Sequence, residues 1–228
     1  MTIKICVFDA YGTLFDVGAA ARIAAGEEDR EALAAKAGEL AEFWRQKQLQ
    51  YTWLRAVSGN HTDFWSVTQD GLDWALEKTG LDGDLELRER LLALYWELRA
   101  YKEVPMMLAQ LKAAGLQTAI LSNGAPDMLD GAVGSAGIET YLDAVLSVED
   151  VGVFKPDAQV YQMVLDRFEC TKDEVLFVSS NGWDVAAASG FGFQTVWVNR
   201  VGEPMDRLFA EPQHVLSDLT NIPQLAGS

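Results

Sequence analysis

The sequence predicts an α/β fold: a doubly wound parallel sheet core into which a helical-bundle cap domain is inserted. Three observations predict it. Four short apolar runs, Ile5-Cys6-Val7-Phe8, Ala119-Ile120-Leu121, Val175-Leu176-Phe177-Val178 and Val196-Trp197-Val198, are bounded by polar or turn residues and read as strands buried on both faces. Between them lies helical spacing, as in Met107, Leu108 and Leu111 before Gly115, or Val160, Val164 and Phe168 after Pro156. That alternation gives a parallel sheet covered by helices on both sides. The stretch from about Val17 to Arg99 breaks the rhythm, with long helical patterns and no strand.

Taken in order, the first strand opens the core and the chain then leaves it for the cap. There Leu33, Ala37, Leu40, Trp44, Tyr51 and Leu54 form a stripe at three- to four-residue spacing, continued by Leu72 and Leu76 and by Leu91, Leu94 and Leu98, as an amphipathic bundle requires. No repeat, low-complexity tract or Gly/Ser linker separates the parts, so short hinges are expected near Asp16 and Lys102. The expected division is a core of residues 1–16 and 100–228 and a cap of residues 17–99.

With 228 residues, 49% of them hydrophobic, the chain can bury a sizeable core. Its 34 acidic and 18 basic residues leave a net charge of −16, which repels nucleic acid and anionic membrane surfaces and excludes both as partners. The same field repels a small anionic substrate, so a carboxylate site must carry its own cations. Arg45 and Lys155 stand out for that role. Two cysteines, Cys6 and Cys170, make no disulfide framework. No signal peptide or bilayer-length apolar run is evident, and a cytoplasmic location is expected.

In an open parallel sheet, ligands bind beyond the carboxyl ends of the strands. The residues following the first three runs are Asp9-Ala10-Tyr11-Gly12-Thr13-Leu14, Ser122-Asn123-Gly124 and Ser179-Ser180-Asn181-Gly182-Trp183-Asp184, and Lys155-Pro156 stands before a helix. Taken singly, each has a bland reading: Asp9 as a turn former, Ser122-Asn123-Gly124 as a capped loop, Lys155-Pro156-Asp157 as a helix start, Arg45 as a solvated cap residue. Their order and spacing outweigh those readings.

The ordered set resembles the haloacid dehalogenase superfamily, whose motifs are an Asp after the first strand, a Ser or Thr after the second, a Lys before a helix and a terminal acidic loop. The segment Phe43-Trp44-Arg45-Gln46-Lys47-Gln48-Leu49-Gln50-Tyr51-Thr52-Trp53-Leu54-Arg55 is similar to the cap of the L-2-haloacid dehalogenases within it. The resemblance spans essentially the whole chain and implies a Rossmann-like core, a homodimer and no cofactor.

Most members of that superfamily are magnesium-dependent phosphatases, and this chain departs from them. Where they place a second Asp two residues after the first, it has Tyr11. Where they place a Gly-Asp pair in the last motif, it reads Ser179-Ser180 and keeps only Asp184. Magnesium takes near-octahedral oxygen ligands, usually including carboxylates, so Asp9 and Asp184 beside Lys155 make a poor divalent site. The rival reading, a magnesium-dependent phosphatase of a small phosphorylated acid such as phosphoglycolate, loses its acid and its metal ligands. A silent scaffold is disfavoured by joint retention of nucleophile, lysine, arginine and final Asp.

Halide displacement asks for other groups. A carboxylate, Asp9, attacks the halogen-bearing carbon and forms an ester. Burial alone raises a carboxyl pKa, and Lys155 with the Thr13 hydroxyl offsets that rise. One opposite charge at about 4 Å is worth roughly 4 kcal/mol at an effective dielectric near 20.

The resemblance assigns the halide to Arg45 and Asn123 and the substrate carboxylate to Ser122 with neighbouring backbone N–H groups. Tyr11, Leu49, Phe64 and Trp183 form the apolar wall, and Gln46 joins the substrate contacts. Donors aimed at the departing halide stabilise the transition state. Asp184 is the expected base for the hydrolytic water, with Asn181, Ser179 and Lys155 orienting it. Tyr161 either joins this polar network or packs in the core. Attack of water on the Asp9 carboxyl keeps the inversion of the first step, so an L-2-haloacid gives a D-2-hydroxyacid. His61 and His214 share no motif. Trp44, Trp53, Trp74 and Trp96 fit helical core or subunit contacts.

Overall fold

The computed structural model describes residues 2–227. Six strands form one sheet in the order β3-β2-β1-β4-β5-β6: β1 Ile5–Phe8, β2 Gln117–Ser122, β3 Ala144–Ser147, β4 Val175–Ser179, β5 Gln194–Val198 and β6 His214–Leu216. Every neighbouring pair is parallel, with Val7 beside Ala119 on one side and Phe177 on the other. The expected doubly wound α/β core is therefore observed.

The four apolar runs are β1, β2, β4 and β5, and β1 is completely buried. β3 and β6 were not anticipated. Both are edge strands, with Val145 and the whole of His214–Val215 facing outward, so neither shows a continuous apolar run.

The chain builds outward from β1 to β2 and β3, then returns to lay β4, β5 and β6 on the other side. The strand order thus reverses between β1 and β4, where a crevice opens beyond the strand ends. Asp9 follows β1 and the Ser179–Asp184 loop follows β4, so their adjacency is a consequence of topology.

Between β1 and β2 the chain forms six helices: α1 Ala19–Ala25, α2 Glu31–Ala34, α3 Ala37–Ser58, α4 Phe64–Thr79, α5 Leu85–Trp96 and α6 Val104–Ala113. The last of these packs on the sheet side with β2, while the first five make the inserted bundle, dominated by α3 against α4. α4 and α5 start at Asp63 and Asp84, whose carboxylates accept the Ser66 and Leu87 N–H groups, the usual chemistry of a helix start.

The buried face of α3 runs through Leu40, Trp44, Gln48 and Thr52 at intervals of four residues. Ala37 and Tyr51 sit at its margin, and Leu54, expected in the stripe, is 59% exposed. The polar members explain the shift: Gln48 donates to Thr68 Oγ1 at 3.0 Å and to the Tyr95 hydroxyl at 3.1 Å, so a residue read as polar lies inside.

Two chain crossings join bundle and core side by side. Asp16 N–H donates to Arg99 O at 3.0 Å and Tyr101 N–H to Leu14 O at 2.9 Å. Four further helices complete the core: α7 Pro126–Ala136, α8 Ala158–Phe168, α9 Gly182–Phe191 and α10 Ile222–Ala226.

Candidate active site

Asp9 leaves β1 with its N–H still bound to Val178 O, 2.9 Å away on β4, which fixes the base of its side chain. The turn that follows needs Gly12: its φ is +89°, and a Cβ there would meet Ser180 Oγ at 3.1 Å and Arg45 at 3.6 Å. A side chain would be strained by the backbone and crowded by the opposite loop. The tight turn returns Thr13 to Asp9, where its hydroxyl donates to Asp9 Oδ2 at 2.9 Å and accepts the Ser180 N–H at 2.8 Å.

The two oxygens of Asp9 are held differently. Oδ2 also accepts from Asn181 Nδ2 at 3.0 Å, whereas Oδ1 faces the Lys155 ammonium at 3.2 Å. The same ammonium donates to Asp184 Oδ2 at 2.9 Å, and the Tyr161 hydroxyl donates to Asp184 Oδ1 at 2.7 Å. Tyr161 therefore does both things expected of it as alternatives, being buried and joined to the network.

Lys155 is 1% exposed. Burial pulls its pKa down, but the charges of Asp184 and Asp9 outweigh this and raise it above 10.5, so the ammonium is retained. Burial raises the Asp184 carboxyl above its ordinary value; Lys155 pulls it down and the Asp9 charge pushes it up again. Burial, then the Asp184 charge, lifts Tyr161 well above 10, and it stays a phenol able to donate.

The helical bundle covers this cluster. Arg45, on α3, donates to Asn181 Oδ1 at 2.8 Å and to Tyr11 O at 3.3 Å. A narrow cavity is lined from the core by Asp9, Ser122, Asn123, Lys155 and Asn181, and over it stand Tyr11, Arg45, Leu49, Phe64 and Trp183. Gln46 does not reach it: one residue on from Arg45 it is turned about 100° around the helix and bonds Glu42 on the exposed face at 2.6 Å.

The turn after β2 is pinned from several sides. Ser122 Oγ accepts the Gly124 N–H at 3.0 Å, Ser147 Oγ donates to Gly124 O at 2.7 Å, and Asn123 Oδ1 accepts the Lys155 N–H at 2.9 Å. Ser179 serves the neighbouring loop, accepting the Asn181 N–H at 3.1 Å.

Several residues at the site were not singled out from sequence. Tyr95 stacks on Tyr11 at 5.6 Å, and nothing in its local pattern marks it. Ser180, read from sequence only as a departure from the phosphatase pattern, binds Thr13 with its N–H. Arg200 donates to Thr13 O at 3.0 Å and pairs with Glu103 at 2.7 Å. It follows the fourth apolar run, so the rule that led to Asp9 also leads to it. His61 pairs with Glu149 at 2.9 Å, outside the cavity lining. Among the described residues no three of His, Cys, Asp and Glu are grouped to hold a metal ion.

The chain matches the family model of the haloacid dehalogenase-like hydrolases over residues 3–192. It is 46% identical to (S)-2-haloacid dehalogenase 1 of Pseudomonas sp. (strain CBS-3), over 98% of this chain and 96% of that one. Among solved structures it is similar to a dehalogenase with an intermediate complex, with a TM-score of 0.94, 40% identity and coverage of 100% and 98%. It is likewise similar to the L-2-haloacid dehalogenase from Xanthobacter autotrophicus with chloropropionic acid covalently bound, with a TM-score of 0.87, 39% identity and 98% of both chains covered. The chain belongs to the haloacid dehalogenase-like hydrolases, in the branch of the (S)-2-haloacid dehalogenases.

Proposed function

We propose that this protein hydrolyses short (S)-2-haloacids to (R)-2-hydroxyacids and halide through an ester on Asp9. The observation that carries the reading is the Lys155 ammonium seated between Asp9 and Asp184, with Tyr11 where a phosphatase has its second acid. A divalent ion bridging the two carboxylates would need the space that the ammonium fills, and Tyr11 offers it no carboxylate. The donor set therefore does not fit magnesium, and the reaction runs without it.

In the first step an Asp9 oxygen attacks the carbon bearing the halogen, the carbon–halogen bond breaks with its electron pair, and the halide leaves. Thr13, Asn181 and Lys155 hold the Asp9 carboxylate in place. Arg45 and Asn123 receive the halide, whose growing charge calls for donors in a site shielded from water. Ser122 and the turn after β2 take the substrate carboxylate, and Leu49, Phe64 and Trp183 exclude bulk water.

In the second step water attacks the Asp9 carboxyl carbon and passes a proton to Asp184, whose raised pKa suits it as the base. The acyl–oxygen bond breaks, the proton held by Asp184 passes to the departing alkoxide to give the hydroxyacid, and the remaining proton of the water goes to solvent as Asp9 returns to a carboxylate. Configuration inverts once, in the first step.

Residues 17–99 act as the cap, hinged near Asp16 and Lys102. A homodimer is also part of the reading. Leu54 and Val57 on the outer face of α3 are 59% and 90% exposed, an apolar patch suited to a second copy, which light scattering tests. The cytoplasm is the proposed location, in keeping with two unpaired cysteines; no helix among the described residues is long and apolar enough to cross a membrane.

Chelation decides between the two chemistries. Halide release from (S)-2-chloropropionate is expected to persist in excess EDTA. Phosphoglycolate hydrolysis that collapses under EDTA, with no halide released, would replace this reading by the phosphatase.

A further inference from the structure

Arg200 lies just past the end of β5 and takes no part in the chemistry set out above. Its side chain is 18% exposed, and its guanidinium meets three other parts of the chain. One nitrogen donates to Thr13 O at 3.0 Å, another pairs with Glu103 at 2.7 Å, and the central carbon lies 3.6 Å from the centre of the Tyr101 ring.

The bond to Thr13 reaches the nucleophile. Thr13 is fully buried. In the turn around it the Ala10 carbonyl accepts the N–H groups of Thr13, Leu14 and Phe15, and the Leu14 carbonyl accepts from Tyr101. Among the described residues only Arg200 donates to the Thr13 carbonyl. A buried carbonyl left without a donor is costly, so the turn keeps this geometry only while the guanidinium is present. The hydroxyl of the same residue donates to Asp9 Oδ2 at 2.9 Å. One residue thus links the guanidinium to the carboxylate.

The other two contacts fix the guanidinium itself. Tyr101 and Glu103 stand just before α6, where the chain returns from the bundle. With its face on an aromatic ring and one end on a carboxylate, the planar fork presents its remaining end to Thr13. This placement leaves Nε buried without a partner, which costs stability.

We infer that Arg200 is a positioning residue for the displacement step, holding the Thr13 carbonyl so that the Thr13 hydroxyl keeps Asp9 in line with the substrate carbon. The inference rests on the dehalogenation reading for the reaction, and on the geometry alone for the link from Arg200 to Asp9.

Arg200→Met keeps a long side chain and removes every donor. It is measured alone, beside Thr13→Val, and in the double variant. Single turnover of (S)-2-chloropropionate with enzyme in excess gives the saturating rate of halide release and the enzyme concentration at half-saturation, even for slow variants. Arg200→Met alone is expected to lower the saturating rate on the order of 10- to 100-fold, the scale of loss for a displaced reacting group. Half-saturation stays within about twofold. On the Thr13→Val protein the same change costs no more than about twofold, because the hydroxyl through which it acts is gone. A residue that only held the fold would lower stability and leave the rate of the folded enzyme unchanged. Arg200→Lys keeps the charge beside Glu103 but not the fork that spans two acceptors; should methionine cost the fold, it carries the same cycle, with a fall in the same direction.

Equal falls in both backgrounds, an unchanged saturating rate, or a change confined to half-saturation would each overturn the inference. The two readings fail separately. A wild type that releases no halide but hydrolyses phosphoglycolate sinks the dehalogenation. The cycle is then read on phosphoglycolate, where Asp9 is again the nucleophile and the same dependence on Thr13 is expected.

Discussion

Arg45 of the cap donates to Asn181 Oδ1 of the core at 2.8 Å. The bond spans the cavity wall, and the same asparagine gives its amide to Asp9 at 3.0 Å. The halide ligand proposed from the cap is thus wired to the nucleophile through one side chain.

Replacing Arg45 by Met removes the charge and the donors together. Loss of one preorganised donor to a developing anion lowers turnover by about 10²- to 10³-fold, and halide release from (S)-2-chloropropionate measures it. An undiminished steady-state rate would take Arg45 out of the halide site.

Lys155→Met leaves Asp9 and Asp184 buried without their shared counter-charge. Breaking a buried ion pair on one side costs about 3–5 kcal/mol, read from urea unfolding near neutral pH. The double variant Lys155→Met/Asp184→Asn is expected to recover part of that loss, because one of the orphaned charges is gone. A single-variant loss under about 1 kcal/mol would mean that the three groups are not an electrostatic unit.

The raised pKa of Asp184 has a fixed sign in stability. Folded protein binds this proton more tightly than the unfolded chain, so Asp184 adds stability below its unfolded value of 3.8. That contribution disappears as pH rises through the folded value. Asp184→Asn lacks the titration. The unfolding free energy of the wild type minus that of the variant is therefore expected to fall as pH rises from about 3 to 7; a difference that climbs over this range would show a lowered pKa instead.

The strands that carry the site were legible because each is buried on both faces and so reads as an uninterrupted apolar run. β3 and β6 escaped because edge strands need only one protected face. The motif residues at strand ends were readable for the same topological reason, since ends of parallel strands converge.

What was hidden lies in side-chain direction. Gln48 reads as surface and is buried by its bonds to Thr68 and Tyr95; Leu54 reads as core and faces out. Gln46, adjacent to Arg45, points away from the cavity because neighbours on a helix diverge. Tyr95 comes to the site only through the packing of α5 on α3 and the turn after β1, a long-range contact with no local signature.

Single turnover in ¹⁸O-labelled water, with enzyme in excess over (S)-2-chloropropionate, tests the Asp9 ester most directly. If water attacks the carboxyl carbon of an ester, the label appears in the peptide containing Asp9 and the first molecule of hydroxyacid is unlabelled. Label in the hydroxyacid with none in that peptide would show that water attacks the substrate directly, and Asp9 would not be a nucleophile.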